Sequence, residues 1–323
     1  MRFLLDAEQA EFGRTLDRML TAADTPAVVR AWAGGDHAPG RAVWARLAEA
    51  GVFALAVPES YEGMGLLPVE LAVSYVELGR HAVPGPVVET AALATLLAGL
   101  PDQGPAKEWL PRIASGEALT TLSTGSYALD ADAADAVFVA DGDVLRRAAG
   151  CGPLRESADP ARRLFVPEGA EGAAVVARGP AVREAVARAV DLAAFLTAAQ
   201  ALGVGLELLR RTVEYAGQRE QFGVAIGSFQ AVKHRLADAL IALEFARPLL
   251  FGAALTMTGR DIAAAKATAG EAAYTAARAA LQLHGAVGYT QELDLSLWLR
   301  KARPLRDAWG TPAQCRARVA TRA

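Results

Sequence analysis

Cysteine is almost missing from this sequence: two residues in 323, Cys151 and Cys315, far apart and without metal-ligand spacing. That excludes a disulfide framework and a zinc-thiolate site, so no metal is expected, and two isolated thiols suit a reducing, cytoplasmic location. Runs of basic residues are missing too. Lys and Arg number 33 against 36 Asp and Glu, scattered along the chain for a net charge of −3. Nothing there attracts a phosphate backbone, and no nucleic-acid partner is expected. The start, "MRFLLDAEQAEFGRTL", has no unbroken apolar stretch of the kind a signal peptide needs and reads as an amphipathic helix. The most apolar window, "LAAFLTAAQALGVGLELL" (192–209), is interrupted by Thr197, Gln200 and Glu207 and falls short of a membrane span. No membrane partner is expected.

What is present is a chain long enough for two or three domains with an ample apolar core. Residues 1–118 alternate helical periods with Gly/Pro punctuation such as "AGGDHAPG" and "HAVPGPVVET", and read as an N-terminal helical domain. Over 119–182 the texture changes to short β-branched pieces, "TTLST", "AVFVA", "RRLFVP" and "AAVVA", between Asp/Gly/Pro turns: a small β-domain. From 183 to 323 the pattern is helical again. Leu192, Phe195, Ala199, Leu202, Leu206, Leu209 and Val213 line one face of a long helix. A second helix is expected after Gly227 with Ser228 as its cap, a third from Asp261 to His284, stopped by Gly285, and a fourth over about 294–303, giving a C-terminal four-helix bundle. The fold class is mainly α with a small β segment.

Two stretches carry residues suited to ligand contact. "YAGQREQFGVAIGSFQAVKH" (215–234) joins the first two bundle helices. Arg219 is a planar fork suited to a diphosphate, Gln221 and Gln230 add neutral hydrogen bonds, and Phe222 and Phe229 add apolar faces. The same residues also suit a plain helical hairpin, with both phenylalanines as core plugs and Arg219 solvated. "LQLHGAVGYTQELDLSLWLRKA" (281–302) follows the third helix, and Gln282, Gly285 and Gly288 allow backbone to approach a ligand. His284 reads as a base or, more simply, as a packed imidazole or a partner of the helix dipole at a helix end.

Together, "YAGQREQFGVAIGSFQAVKHRLAD" and "LQLHGAVGYTQE" resemble the acyl-CoA dehydrogenase family, whose bundle reads YxxxRxQFGxxIxxFQ and then QxxGGxGY; "LAEAGVFALAVPESYEGMGL" and "ELGRHAVPGP" are similar to its N-terminal domain. The resemblance implies FAD at a subunit interface, with these elements gripping the adenosine diphosphate of a flavin seated mainly in the neighbouring subunit. Arg219, Gln221, Phe222, Phe229, Gln230, Gln282 and Gly285 become the expected flavin contacts. Ala286 replaces the second glycine of the pair.

The departures are selective. The family's carboxylate base, the Glu of a YEGT segment, aligns with Trp309 of "RKARPLRDAWGT", which reads as an apolar plug. The alternative base position of some members, twenty-six residues before Arg219, is Ala193, and the substrate-directed arginine beside it is Ala194. Asp191 and Glu292 read as a helix-start residue and a loop charge. In the β segment only Gly125 and Ser126 remain of the flavin-cradling TEPxxGSD stretch, and there is no Trp between 110 and 297. Elements acting on a subunit's own flavin are gone, while those reaching a neighbour's flavin remain. The resemblance therefore implies a short, base-less subunit of a heteromeric (α2β2) actinobacterial steroid-type acyl-CoA dehydrogenase. Its partner would be a full-length homologue carrying the catalytic Glu, and the complex would act on an acyl-CoA. Two other readings stay open: a structural protein without flavin, and a homodimeric flavoenzyme with His284 or Asp307 as relocated base.

Overall fold

The computed structural model describes residues 4–169 and 174–321; Met1–Phe3 of the opening stretch and Ala173 of "AAVVA" lie outside them. The chain begins with six helices, α1 (Ala7–Ala22), α2 (Thr25–Ala33), α3 (Ala38–Glu49), α4 (Pro68–Arg80), α5 (Val87–Ala98) and α6 (Gly104–Ala114). Seven strands follow: β1 (Thr120–Ser123), β2 (Ala128–Leu129), β3 (Ala136–Asp141), β4 (Val144–Arg147), β5 (Gly150–Arg155), β6 (Leu164–Glu168) and β7 (Ala174–Arg178). The long α7 (Pro180–Gln218) leads through a hairpin, β8 (Glu220–Gln221) and β9 (Val224–Ala225), to α8 (Gln230–Thr256), α9 (Gly259–His284), α10 (Leu295–Asp307) and α11 (Pro312–Ala320). The architecture is mainly α with a small β segment, as expected. The β segment is richer than its β-branched runs announce. One sheet has the order β1-β3-β4-β7, with β1 and β3 parallel and the other pairs antiparallel; the second, antiparallel, is β2-β6-β5.

The described residues fall into two compact units, those of Arg18–Leu71 with Val83–Ala193, and those of Met1–Asp17 with Ala72–Ala82 and Ala194–Ala323. The core of the first unit includes Trp32, Phe53, Trp109 and Phe138, the last two edge to face at 5.4 Å. Asp130 is fully buried there, its Oδ1 accepting from Trp32 Nε1 (3.1 Å) and from the amide of Arg163 (3.2 Å).

In the second unit, α4 and α7 cross with backbone against backbone. A Cβ on Gly203 would lie 1.9 Å from the Val76 carbonyl oxygen, and one on Gly79 2.1 Å from that of Gln200. Two glycines inside helices cost roughly 0.5–1 kcal/mol each in propensity, and this crossing is what they make possible. Farther along, Lys266 of α9 is fully buried, and its Nζ donates to the carbonyls of Leu305 (3.0 Å), Arg306 (2.9 Å) and Gly310 (3.1 Å), closing the C-terminal end of α10.

Local corrections concern helix ends. Ser228 does not cap α8: it sits in a 3-10 turn, Ile226–Ser228, donating from Oγ to the Ala225 carbonyl, and Phe229 precedes the helix. Asp261 lies in the first turn of α9, and the cap is Thr258, whose hydroxyl accepts from the Asp261 amide and donates to its carboxylate. Asp191, read as a helix-start residue, lies inside α7. Two helices, α7 and α8, are long and apolar enough to cross a membrane by length and composition. The apolar window of α7 is almost wholly buried in the protein, whereas only a third of that of α8 is. Ile241, Phe245 and Leu249, one turn apart, stand exposed along α8.

Candidate cofactor-contact site

The stretch 215–234 folds as a tight hairpin rather than a plain helical connection. α7 ends with the Arg219 amide bonded to the Tyr215 carbonyl (2.8 Å), and the Arg219 carbonyl then accepts from the Ile226 amide (2.8 Å). Between them Glu220 pairs with Ala225 and Gln221 with Val224. The two-residue loop is Phe222 (φ 54°) and Gly223 (φ 80°). Positive φ at both central positions is the type I′ geometry that follows strand twist; glycine adopts it freely, whereas a phenylalanine is strained there. The strained residue is also strongly displayed: Phe222 is 94% exposed, and its ring meets that of Phe229 edge to face at 6.4 Å. Neither phenylalanine is a core plug.

Arg219, Gln221 and Gln230 are exposed as well. Gln221 Nε2 donates to the neighbouring Glu220 carbonyl (2.8 Å), and Arg219 has no side-chain hydrogen bond or ion pair among the described residues. Gln282, near the end of α9, is brought to α8, where its Oε1 accepts from Arg235. Beside this bond a cavity of about 350 Å³ opens between the helices, lined by His234, Arg235, Asp238, Thr275, Arg278 and Gln282. Two guanidinium groups, Arg235 and Arg278, face one carboxylate, Asp238, there, which leaves a net positive charge next to an expected flavin contact. Sequence reasoning missed Arg235 and Arg278, because only the packing of α8 on α9 places them together.

α9 ends at Gly285 (φ 61°, ψ −137°), exposed and with open space where a Cβ would project. Gly285 thus stops the helix as expected, with a positive φ that lies outside the left-handed helical region. His284 is a packed imidazole. It is buried, Nδ1 lies 2.8 Å from the Ala280 carbonyl, and its ring stacks on Tyr215 at 4.1 Å and 21°. Burial lowers its pKa and the Ala280 bond offsets this only in part, so the net effect favours the neutral ring. The stack joins the two expected segments: Tyr215 is four residues before Arg219, and His284 immediately precedes Gly285.

No acid stands at either base position. Ala193 is fully buried in α7, while Trp309 is half-buried with φ 55° in the turn that Lys266 closes. Asp307 lies 3.6 Å from Arg306 and is partly exposed. Elsewhere, donor atoms of Asp17, Glu77 and His81 lie within 4.8 Å of one another, with His81 Nε2 2.9 Å from Asp17 and the neighbouring Arg80 3.6 Å from Glu77, so both carboxylates already have basic side chains beside them. In the β segment Ser123 Oγ bonds to the carbonyls of Gly125 and Tyr127, fastening the turn that carries Gly125 and Ser126.

The chain matches the acyl-CoA dehydrogenase N-terminal domain family over residues 6–117 and the acyl-CoA dehydrogenase C-terminal domain family over residues 183–323. It is 36% identical over 282 residues to acyl-CoA dehydrogenase IpdE2 of Mycobacterium tuberculosis, covering 86% of this chain and 85% of that protein. Among solved structures, a chain of the ChsE4-ChsE5 complex from Mycobacterium tuberculosis superposes with a TM-score of 0.84 at 24% identity over 100% of both chains. A chain of the Tcur3481-Tcur3483 steroid ACAD gives a TM-score of 0.84 at 24% identity, covering 97% of this chain and 96% of that one. The structural likenesses speak to the fold, and the IpdE2 likeness, over most of both chains, speaks to descent. With both domain families matched in order, this chain belongs to the acyl-CoA dehydrogenase family.

Proposed function

We propose that the chain is the cofactor-sharing, non-catalytic subunit of a heteromeric acyl-CoA dehydrogenase. The observation that carries this reading is the hairpin tip: Phe222, strained and almost fully exposed, beside Arg219, exposed and unpaired among the described residues. A strained backbone and a bare aromatic cost stability and are retained where something outside the chain uses them.

The residues fit the diphosphate end of FAD. Arg219 offers a bidentate donor, Gln221, Gln230 and Gln282 neutral bonds, the open backbone at Gly285 a close approach, and Phe222 and Phe229 apolar faces. Bound flavin supplies the hydride acceptor for α,β-dehydrogenation of an acyl-CoA thioester. General-base catalysis usually contributes roughly 10²–10⁴ in rate. With Trp309 and Ala193 at the base positions, the base comes from a full-length partner with its catalytic Glu. The similar chain solved within the ChsE4-ChsE5 complex supports pairing, and the steroid ACAD neighbour supports a steroid side-chain CoA as substrate class. The exposed stripe on α8 offers apolar area for assembly in the cytoplasm.

The test is FAD content. Purified alone, the chain should hold little flavin; with its partner it should hold about one FAD per heterodimer, and Arg219→Ala should lower that ratio. One tightly bound FAD in the isolated chain, reduced on adding an acyl-CoA, would sink the reading.

A further inference from the structure

We propose that His284 is a positioning residue: its stack on Tyr215 is a joint that fixes the 219–226 hairpin against the Gly285 turn, so that two separate segments present one grip. The proposal rests on the flavin-sharing reading and adds a residue outside the expected contact set.

The geometry assigns the parts. A carbonyl oxygen only accepts, so Nδ1 of His284, 2.8 Å from the Ala280 carbonyl, must carry the proton and donate. That bond ties one edge of the imidazole to the last turn of α9 and sets the plane of the ring. The face so presented meets the Tyr215 ring at a 4.1 Å centroid separation and 21° between planes. Tyr215 in turn supplies the carbonyl to which the Arg219 amide bonds, the last helical hydrogen bond before the chain turns into β8. On the other side the next residue is Gly285, where α9 breaks.

The stack thus links the exit of one helix to the exit of another. The hairpin has little else to hold it: apart from half-buried Ala225 its strand and loop residues are exposed, and its ladder is two residue pairs long. Two strands alone are marginal in water, so an anchor at the hairpin base has a disproportionate effect at its tip.

The test uses His284→Ala, His284→Phe, Tyr215→Leu and Arg219→Ala, each read two ways. Amide hydrogen exchange of residues 219–226 is measured in the isolated chain, and FAD retention in the complex with the full-length partner. His284→Ala is expected to speed hairpin exchange and weaken FAD retention by roughly two- to tenfold, the scale of one aromatic pair. His284→Phe, which keeps the stack, should restore most of both. Tyr215→Leu combined with His284→Ala should be little worse than either alone, because one interaction cannot be lost twice. Arg219→Ala should release FAD while leaving hairpin exchange unchanged. Wild-type exchange and retention in His284→Ala, with Arg219→Ala still releasing FAD, would overturn the joint alone. Full retention in Arg219→Ala would overturn the flavin-sharing reading and, with it, the grip assigned to the joint. Thermal unfolding of each variant controls for loss of fold; if His284→Ala unfolds globally, the contrast between His284→Phe and Tyr215→Leu decides by the same two readouts.

Discussion

Asp130 is a carboxylate held where a charge is costly. It is fully buried, Oδ1 has two donors, and Oδ2 has no hydrogen-bond partner among the described residues. Burial is the main cause raising its pKa from 3.8 to about 7, against the Trp32 and Arg163 bonds that pull it down. The sign follows from proton counting. Between those two values the folded chain binds a proton that the unfolded chain has released, so stability falls as pH rises from about 4 to 7 and then levels off. A tenfold difference in proton affinity between folded and unfolded chain is worth about 1.4 kcal/mol. Asp130→Asn keeps the Oδ1 acceptor and tolerates the left-handed backbone at φ 52°. Urea unfolding of this variant at pH 5 and pH 8 should show a smaller drop than the parent. "ALDADAAD" offers three aspartates, and partners distant in sequence, Trp32 and the Arg163 amide, select which is buried. Phe222 was equally hidden: the residue types of the grip can be read in "REQFG", but the turn that exposes the ring is signalled only by Gly223.

The elements were legible where one period runs long. The apolar spacing behind α7 and α9 survives any tertiary context, whereas the caps depend on hydroxyl geometry and shifted by a few residues. β4 and β5 carry few β-branched residues and exist through pairing, β4 with β7 some thirty residues later in the chain. The end of α10 shows how much a single side chain can hold. Lys266→Met removes three charge-assisted donations and leaves the carbonyls of Leu305, Arg306 and Gly310 without that partner. A loss of about 3 kcal/mol is expected, on the scale of breaking a buried charged contact. Chemical denaturation measures it, with faster amide exchange over 305–310 locating the damage in the turn that carries Trp309.

At the scale of the whole molecule, the helix–strand–helix order could be read from composition alone because the β segment interrupts the Ala/Leu texture. Hydropathy could not separate α7 from α8. Both are long and apolar, yet one is core and the other displays its side chains. If the α8 stripe serves assembly, Ile241→Asp with Phe245→Asp should reduce the sedimenting mass of the complex while leaving the melting temperature of the isolated chain nearly unchanged, since both side chains are exposed. An unchanged mass would remove α8 from the assembly.

The crossing of α4 over α7 has a mechanical consequence. Most packed helices are held apart by side chains and can shift past one another by small shear movements. At Gly79 and Gly203 there is no spacer, and main chain rests on main chain. Sliding either helix would first require lifting it, so the crossing behaves as a rigid pivot, not a bearing.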